Sequence, residues 1–277
     1  MINYNKHNLI TPVIVAICLM SCAQDSQRRG DADTYHADGQ KALLDKKCWN
    51  AQQLFRNLLS DYPGSHLVDD AQYGLGQSYF CSKDYETAIF EFERLINEYP
   101  VSKFVDQARF QIGMCYFNQS RSIHHDQEET IRAIQEFTRF VEDFPNSDLA
   151  PDARKRIHDL EEKLASKDLM IARNYLKWKN PASSEIFCRR ILAKYPTSQY
   201  LGEARFILAL ALERKGELSE ALEILESLSD TEGLGVFQSQ IEETREQVRK
   251  ALIHEEAGST KNDVSGQAAG RPQPPGT

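Results

Sequence analysis

The stretch DYPGSHLVDDAQYGLGQSYF, Asp61 to Phe80, returns 37 residues later as EYPVSKFVDQARFQIGMCYF, Glu98 to Phe117, with nine of twenty positions unchanged. A phrase repeated at a fixed interval of this length marks a chain assembled from copies of one supersecondary unit. The period extends beyond the phrase: Gly39, Gly76 and Gly113 are each 37 apart, and so are Ala51 and Ala88, Phe55 and Phe92, Leu58 and Leu95, and Pro63 and Pro100. Counted from Gly76, the residues Tyr79, Ala88, Phe92, Leu95 and Pro100 follow at 3, 12, 16, 19 and 24 positions. The short offsets suit helices. The prolines cannot continue a helix and disfavour it at the residue before them, so they punctuate the units. One helical hairpin cannot bury its apolar stripe alone, and several must stack.

This spacing is similar to that of the tetratricopeptide repeat, normally 34 residues long; three extra residues here lengthen the turn between units. The expectation is an all-α, right-handed superhelical solenoid of five helical hairpins plus a capping helix. Gly76 is expected where the first helix of a hairpin crosses the second closely, Ala88 is its small partner, and Phe92 fills the gap between neighbouring hairpins. In the third unit Ile112, Gly113 and Tyr116 arrive on schedule, but Ala133, Phe137, Phe140 and Pro145 come 45 residues after their counterparts. An insertion at about 118–130, containing QSRSIHHDQEET, fills the difference. After Pro145, with Asn146 or Ser147 as cap, one long helix or two nearly continuous ones follow. The fourth unit uses Ala172, Tyr175, Ser184, Cys188, Ile191 and Pro196; the fifth uses Ala209, Leu212, Ala221, Leu225 and Leu228. Leu234 to Glu255 reads as the capping helix. The chain thus divides into a leader (1–21), a linker (22–31), repeats one to three (32–146), repeats four and five with the cap (147–255), and a Gly/Pro/Ser-rich tail (256–277) expected to be disordered.

The leader has its own logic. Lys6 and His7 precede LITPVIVAICLM, an apolar run of 12 residues, too short to span a bilayer but suited to a signal-peptide core. Leu19-Met20-Ser21-Cys22 resembles a bacterial lipobox, which implies cleavage before Cys22 and acylation of that cysteine. Ala23 follows, where lipoproteins retained in the inner membrane often carry Asp, so the expected location is the periplasmic face of the outer membrane. An oxidising periplasm permits a disulfide among Cys48, Cys81, Cys115 and Cys188. Their scatter, with no CxxC and no zinc spacing, favours buried apolar side chains instead. A net charge of −8 without a basic, aromatic-interleaved stripe argues against a nucleic-acid partner.

No Gly-rich phosphate loop, nucleophile elbow or HExxH is present, so no catalytic constellation, cofactor or metal site is expected. Adjacent His124 and His125 point apart on a helix, and a solvated loop is the expectation for His124, His125 and Asp126. What stacked hairpins offer instead is a surface along the first helices. In repeats two and three it would carry Tyr73, Gln77, Phe80, Phe110, Met114 and Phe117, with Asp70 and Gln107 beside them, as a groove for an extended or aromatic-ended peptide. In repeats four and five Arg173, Glu203 and Glu213 mix with Leu176, Phe206 and Leu210, a polar-rimmed face for a folded partner.

The lipobox, five repeats, an insertion running into DQEETIRAIQEFTRFVEDFPNS, and the segment YLKWKNPASSEIFCRRILAKYPTS together resemble the BamD family of β-barrel assembly (BAM) lipoproteins over about residues 19–245. The resemblance implies a scaffold rather than an enzyme. It implies a BamA-type insertase bound through the C-terminal repeats, other BAM lipoproteins as neighbours, and unfolded outer-membrane proteins received by the N-terminal repeats. The Tol-associated CpoB type shares the AQYxLGxxYF phrase but usually carries a coiled coil and no lipid anchor; it is the alternative, with other cell-envelope repeat lipoproteins.

Overall fold

The computed structural model describes residues 31–228, 235 and 237–268, with side chains described as far as residue 255. The leader, the lipobox at Cys22 and the last residues of the tail lie outside the described residues. Among the described residues there are eleven helices and no strand: α1 Ala32–Leu44, α2 Cys48–Asp61, α3 Val68–Cys81, α4 Tyr85–Glu98, α5 Val105–Gln119, α6 Glu128–Asp143, α7 Ala150–Lys177, α8 Pro181–Lys194, α9 Leu201–Lys215, α10 Leu218–Leu228 and α11 Gln238–Ala268. The fold is an all-α tetratricopeptide-repeat architecture. It forms two compact units, one of residues up to 119 with 135–150, the other of 120–134 with 151 onward.

In the first unit α1 packs on α2, α2 on α3, α3 on α4 and α4 on α5, each helix on its sequence neighbour. The core is made of the repeated residues themselves: Ala51, Phe55, Leu58, Ala71, Ala88, Phe92, Leu95 and Ala108 are fully buried. The glycines explain the spacing, though not quite as the sequence suggests. A Cβ at Gly39 would stand 2.8 Å from the Phe55 ring, one at Gly76 2.6 Å from Phe92, and one at Gly113 2.7 Å from Phe137. The group that needs the room is therefore the aromatic ring of the same hairpin's second helix, and not that helix's backbone. Phe55 is pinned from the next hairpin as well, since a Cβ at Gly74 would meet it at 2.5 Å.

The second unit solves the same problem with different volumes. Where the small residue becomes alanine, its partner shrinks: Ala172 goes with Cys188, and Ala209 with Leu225, all four fully buried. Here α8 packs on α9, α9 on α10 and α10 on α11, and the last of these closes the apolar end with Ile241 and Val248. Helix α7 is a single helix of 28 residues; its C-terminal half joins α8 through stacked Tyr175 and Phe187 and the ion pair of buried Asp168 with Arg190.

Two kinds of turn punctuate the units. At the hairpin tips Lys46, Lys83, Lys179 and Gly216 all have positive φ, between 57° and 84°. The following residues Lys47, Asp84, Asn180 and Glu217 donate their backbone N–H to Ala42, Tyr79, Tyr175 and Leu212, five residues back, closing the helix ends in Schellman fashion. Between hairpins, the Ser of each Tyr/Phe-Pro-x-Ser turn (Ser65, Ser102, Ser147, Ser198) accepts from the N–H two residues on through its hydroxyl oxygen. Ser102 and Ser147 donate in turn to Asp69 and Asp106 of the preceding hairpin at 2.7 and 2.9 Å.

Two sequence expectations are corrected, and a third gains detail. Cys48 and Cys81 form a disulfide with Cα atoms 5.6 Å apart, because antiparallel packing brings the start of α2 to the end of α3. Only Cys115 and Cys188 are the buried thiols expected. The insertion is a loop exposed at His124, His125 and Asp126, as its sequence suggests, and hydrogen bonds fasten it. Buried Gln127 donates to the carbonyls of Ser122, His125 and Asp126, while Lys163 donates to Ser120 Oγ at 2.6 Å and Lys167 to the His125 carbonyl. Finally, α11 runs to Ala268, past the composition boundary at 256. Pro272 is the first proline beyond it, and extending an existing helix needs no new nucleus.

Gly76→Ala gains about 1 kcal/mol of helix propensity but drives a methyl into the Phe92 ring, at about 1–3 kcal/mol. Urea unfolding should show the single variant destabilised and Gly76→Ala/Phe92→Leu, which copies the Ala209–Leu225 pairing, better than the sum of its singles by at least about 1 kcal/mol. Additive effects would refute the volume-exchange account. Reducing Cys48–Cys81, which spans 33 residues, is expected to cost about 3–4 kcal/mol by loop entropy, read as a lower denaturation midpoint in dithiothreitol. Burial pushes the Cys115 and Cys188 thiols from 9.0 up to about 12. The native state therefore holds both protons while the unfolded chain releases them, and stability is full below pH 9 and falls as pH rises toward 12.

Candidate functional site

Two surfaces along the first helices of the hairpins were read from sequence, and each lies within one unit. In the first unit α3 and α5 carry the six groove residues, and the structure separates them by burial. Tyr73 is 7% exposed and Phe110 6%. They are core residues: Tyr73 stacks on Phe104 with centroids 4.7 Å apart and packs on Phe92, while Phe110 packs on Phe137 and Phe140. The correction has a simple cause. The turn leading into α5 lays Phe104 over Tyr73, and the second helix of the third hairpin lays two rings over Phe110.

The edges of both rings nevertheless floor a cleft of about 310 Å3, whose walls are Asp106, Gln107, Gln111, Ser147, Asp148 and Leu149. Burial pushes the Tyr73 phenol above its usual range, against hydrogen bonds with Gln111 and Gln77. Tyr73, Gln77 and Phe110 are thus brought together. Phe80, Met114 and Phe117 are half-buried, further along the same helices, and do not line the cleft; Phe80 lies edge-on to Tyr85. The wall residues Asp106, Asp148 and Leu149 were missed because they belong to the turns opening the next helices. The recurring Ser-to-Asp spacing of those turns was the available signal: Ser147 donates to Asp106, whose other oxygen accepts from the Gln107 N–H at 2.7 Å. The cleft is a polar slot of amide and carboxylate groups over an aromatic floor. Its groups are hydrogen-bond donors and acceptors beside two ring edges.

In the second unit Arg173 on α7 is exposed and ion-pairs with half-buried Glu203 on α9. This bond between successive first helices is what the sequence could not show. Glu213 is half-buried at the end of α9. Phe206 is a core residue, 5% exposed and packed on Phe237, and Leu176 is buried beside it in the same cluster. What remains outward of this candidate face is charged, the Arg173–Glu203 pair and, at the far end of α9, Glu213, over an apolar layer of buried residues. Among the described residues no cluster of three or more metal-ligating side chains occurs, and no helix is long and apolar enough to cross a membrane.

Comparison with known proteins identifies the lineage of this scaffold. The family described as outer membrane lipoprotein (YfiO) matches residues 28–227. The outer membrane protein assembly factor BamD of Rickettsia prowazekii is 28% identical over 180 residues, covering 65% of this chain and 72% of that protein. The protein of the same name from Neisseria meningitidis Z2491 is 25% identical over 227 residues, covering 76% of this chain and 85% of its own. That of Caulobacter vibrioides is 26% identical over 219 residues, covering 76% and 72%. The match takes in both surfaces and every hairpin from α1 to α10, and the chain belongs to the YfiO family of outer membrane lipoproteins.

Proposed function

We propose that this chain is a lipid-anchored scaffold of the outer-membrane β-barrel assembly machinery, acylated at Cys22 and without catalytic activity of its own. It binds a BamA-type insertase through the charged edge of its second unit and holds unfolded outer-membrane proteins along the first helices of its first unit. The observation that carries this reading is the family match across residues 28–227; the polar cleft of the first unit and the charged edge of the second support it.

The cleft narrows the substrate further. Gln107 and Gln111 offer donors and acceptors to an extended backbone, and the Tyr73 and Phe110 edges accept an apolar side chain. Asp106 and Asp148 on the rim oppose a free C-terminal carboxylate at this spot. An internal extended segment therefore occupies the cleft, and an aromatic chain end lies beyond it, toward half-buried Met114 and Phe117.

Arg173→Glu sets two negative groups against each other where an ion pair now stands. BamA capture in a pull-down is expected to fall by about thirtyfold or more, the 2 kcal/mol scale of a truncated interface charge pair. Unchanged capture removes Arg173 from the interface. The exchange Arg173→Glu/Glu203→Arg separates roles, since restored capture means the pair shapes the face and persistent loss means Arg173 itself touches the partner. For the cleft, a photo-crosslinker at Gln111 should trap a peptide from an outer-membrane protein, and amidating the peptide's C-terminus should leave the yield at Gln111 unchanged. A yield that depends on the free carboxylate would contradict the internal-segment reading.

A further inference from the structure

The chain has two tryptophans, Trp49 and Trp178, and the core uses neither. Each is 68% exposed, and each stands at the tip of a hairpin, Trp49 in the first turn of α2 and Trp178 one residue after α7 ends. In the second unit the tip is strongly cationic. Lys177, Lys179 and Arg214 line a cleft of about 470 Å3 with Leu176 and Pro181. Arg214 is held there by donating to the Leu176 carbonyl at 2.6 Å. Among the described residues none of these three cations has a carboxylate within ion-pair distance, whereas neighbouring Lys215 has two, on Glu185 and Glu217. The first unit's tip has the same composition: Trp49, an exposed Leu44, and Lys46 and Lys83 without an ion-pair partner among the described residues. The turns at the opposite ends of the hairpins are acidic in the first three repeats, with Asp61, Asp69, Asp70, Glu98, Asp143 and Asp148.

Unpaired lysines beside an exposed tryptophan are the combination favoured at a membrane–water interface. The indole settles among headgroups and the ammonium groups meet lipid phosphates. The family is one of lipoproteins, so the body is confined near a bilayer, which raises the effective concentration of weak contacts. From this geometry we propose that the Lys177–Trp178–Lys179 tip with Arg214 is a docking surface for an anionic phospholipid bilayer. It gives the tethered body a second point of membrane contact. The inference rests on the lipoprotein reading for its tether, and the test reads the two separately.

The acylated full chain carrying Trp49→Phe, so that Trp178 is the sole indole, is mixed with vesicles of phosphatidylcholine alone or with 30% phosphatidylglycerol, each containing dibrominated lipid. Flotation with the neutral vesicles reports the acyl tether; its absence sinks the lipoprotein reading and leaves the tip untried by that arm. The tip is then read with a nickel-chelating lipid and a terminal His tag in place of the acyl chains. Docking is supported if Trp178 fluorescence is quenched on the anionic vesicles alone, and if Lys177→Gln/Lys179→Gln weakens this by about fivefold per cation removed while flotation is unchanged. Absence of quenching on both vesicles, or equal quenching on both, overturns the proposal. So does protection of Trp178 by a purified assembly partner without lipid, which would assign the tip to a protein contact.

Discussion

The ring of one helix lying over the missing side chain of its hairpin partner is the contact on which the fold depends. Phe55 over Gly39, Phe92 over Gly76 and Phe137 over Gly113 place a fully buried aromatic group where a single methyl would collide with it. Close packing makes such a pair all-or-none: interiors have no slack to absorb a methyl, and an empty ring site would leave a cavity. Each hairpin therefore has a defined crossing, and each crossing sets where the next first helix can lie. The second unit keeps the same rule with alanine against cysteine or leucine. Exchanging volume between the two positions, as in Ala209 with Leu225, rather than keeping residue identity, lets one architecture carry different hairpins.

Given that rigidity, the surfaces can be specialised at little cost. The first unit turns amide and carboxylate side chains into a slot with an aromatic floor; the second turns an ion pair between successive first helices into a charged edge. Both sit on helix faces whose backs are locked into the core. Turn chemistry is uniform by comparison. The Tyr/Phe-Pro-x-Ser motif closes four inter-hairpin turns by the same serine hydrogen bond, and a left-handed residue closes four hairpin tips. Three of those four are lysines, which adopt positive φ less readily than glycine, so the residue type there answers to something other than backbone comfort. Positive charge at the tips is what the lysines add.

The repeat period and the helix pairs were legible in the residues, because each rests on local rules, helical spacing of apolar residues and proline as a stop; after Pro145 the choice between one long helix and two was left to packing, which made one, Ala150–Lys177. The candidate surfaces were legible only in part. Tyr73, Phe110 and Phe206 have the right position on their helices to face outward, and they are buried because rings from Phe104, Phe137, Phe140 and Phe237 arrive from elsewhere in the chain. Position along a helix says which way a side chain points; it does not say what will cover it. The Cys48–Cys81 bond escaped notice for the same reason, since its separation of 33 matches no repeat spacing and reflects antiparallel packing of two hairpins.

The chain by itself thus determined a stack of helical hairpins, since periodicity and punctuation are properties of order along the backbone. Tertiary structure alone decided which aromatic residues became core and which edges remained to form a cleft. It also decided which cations found carboxylates and which two cysteines met. These depend on distances between segments remote in sequence, and only the packed interior sets those distances.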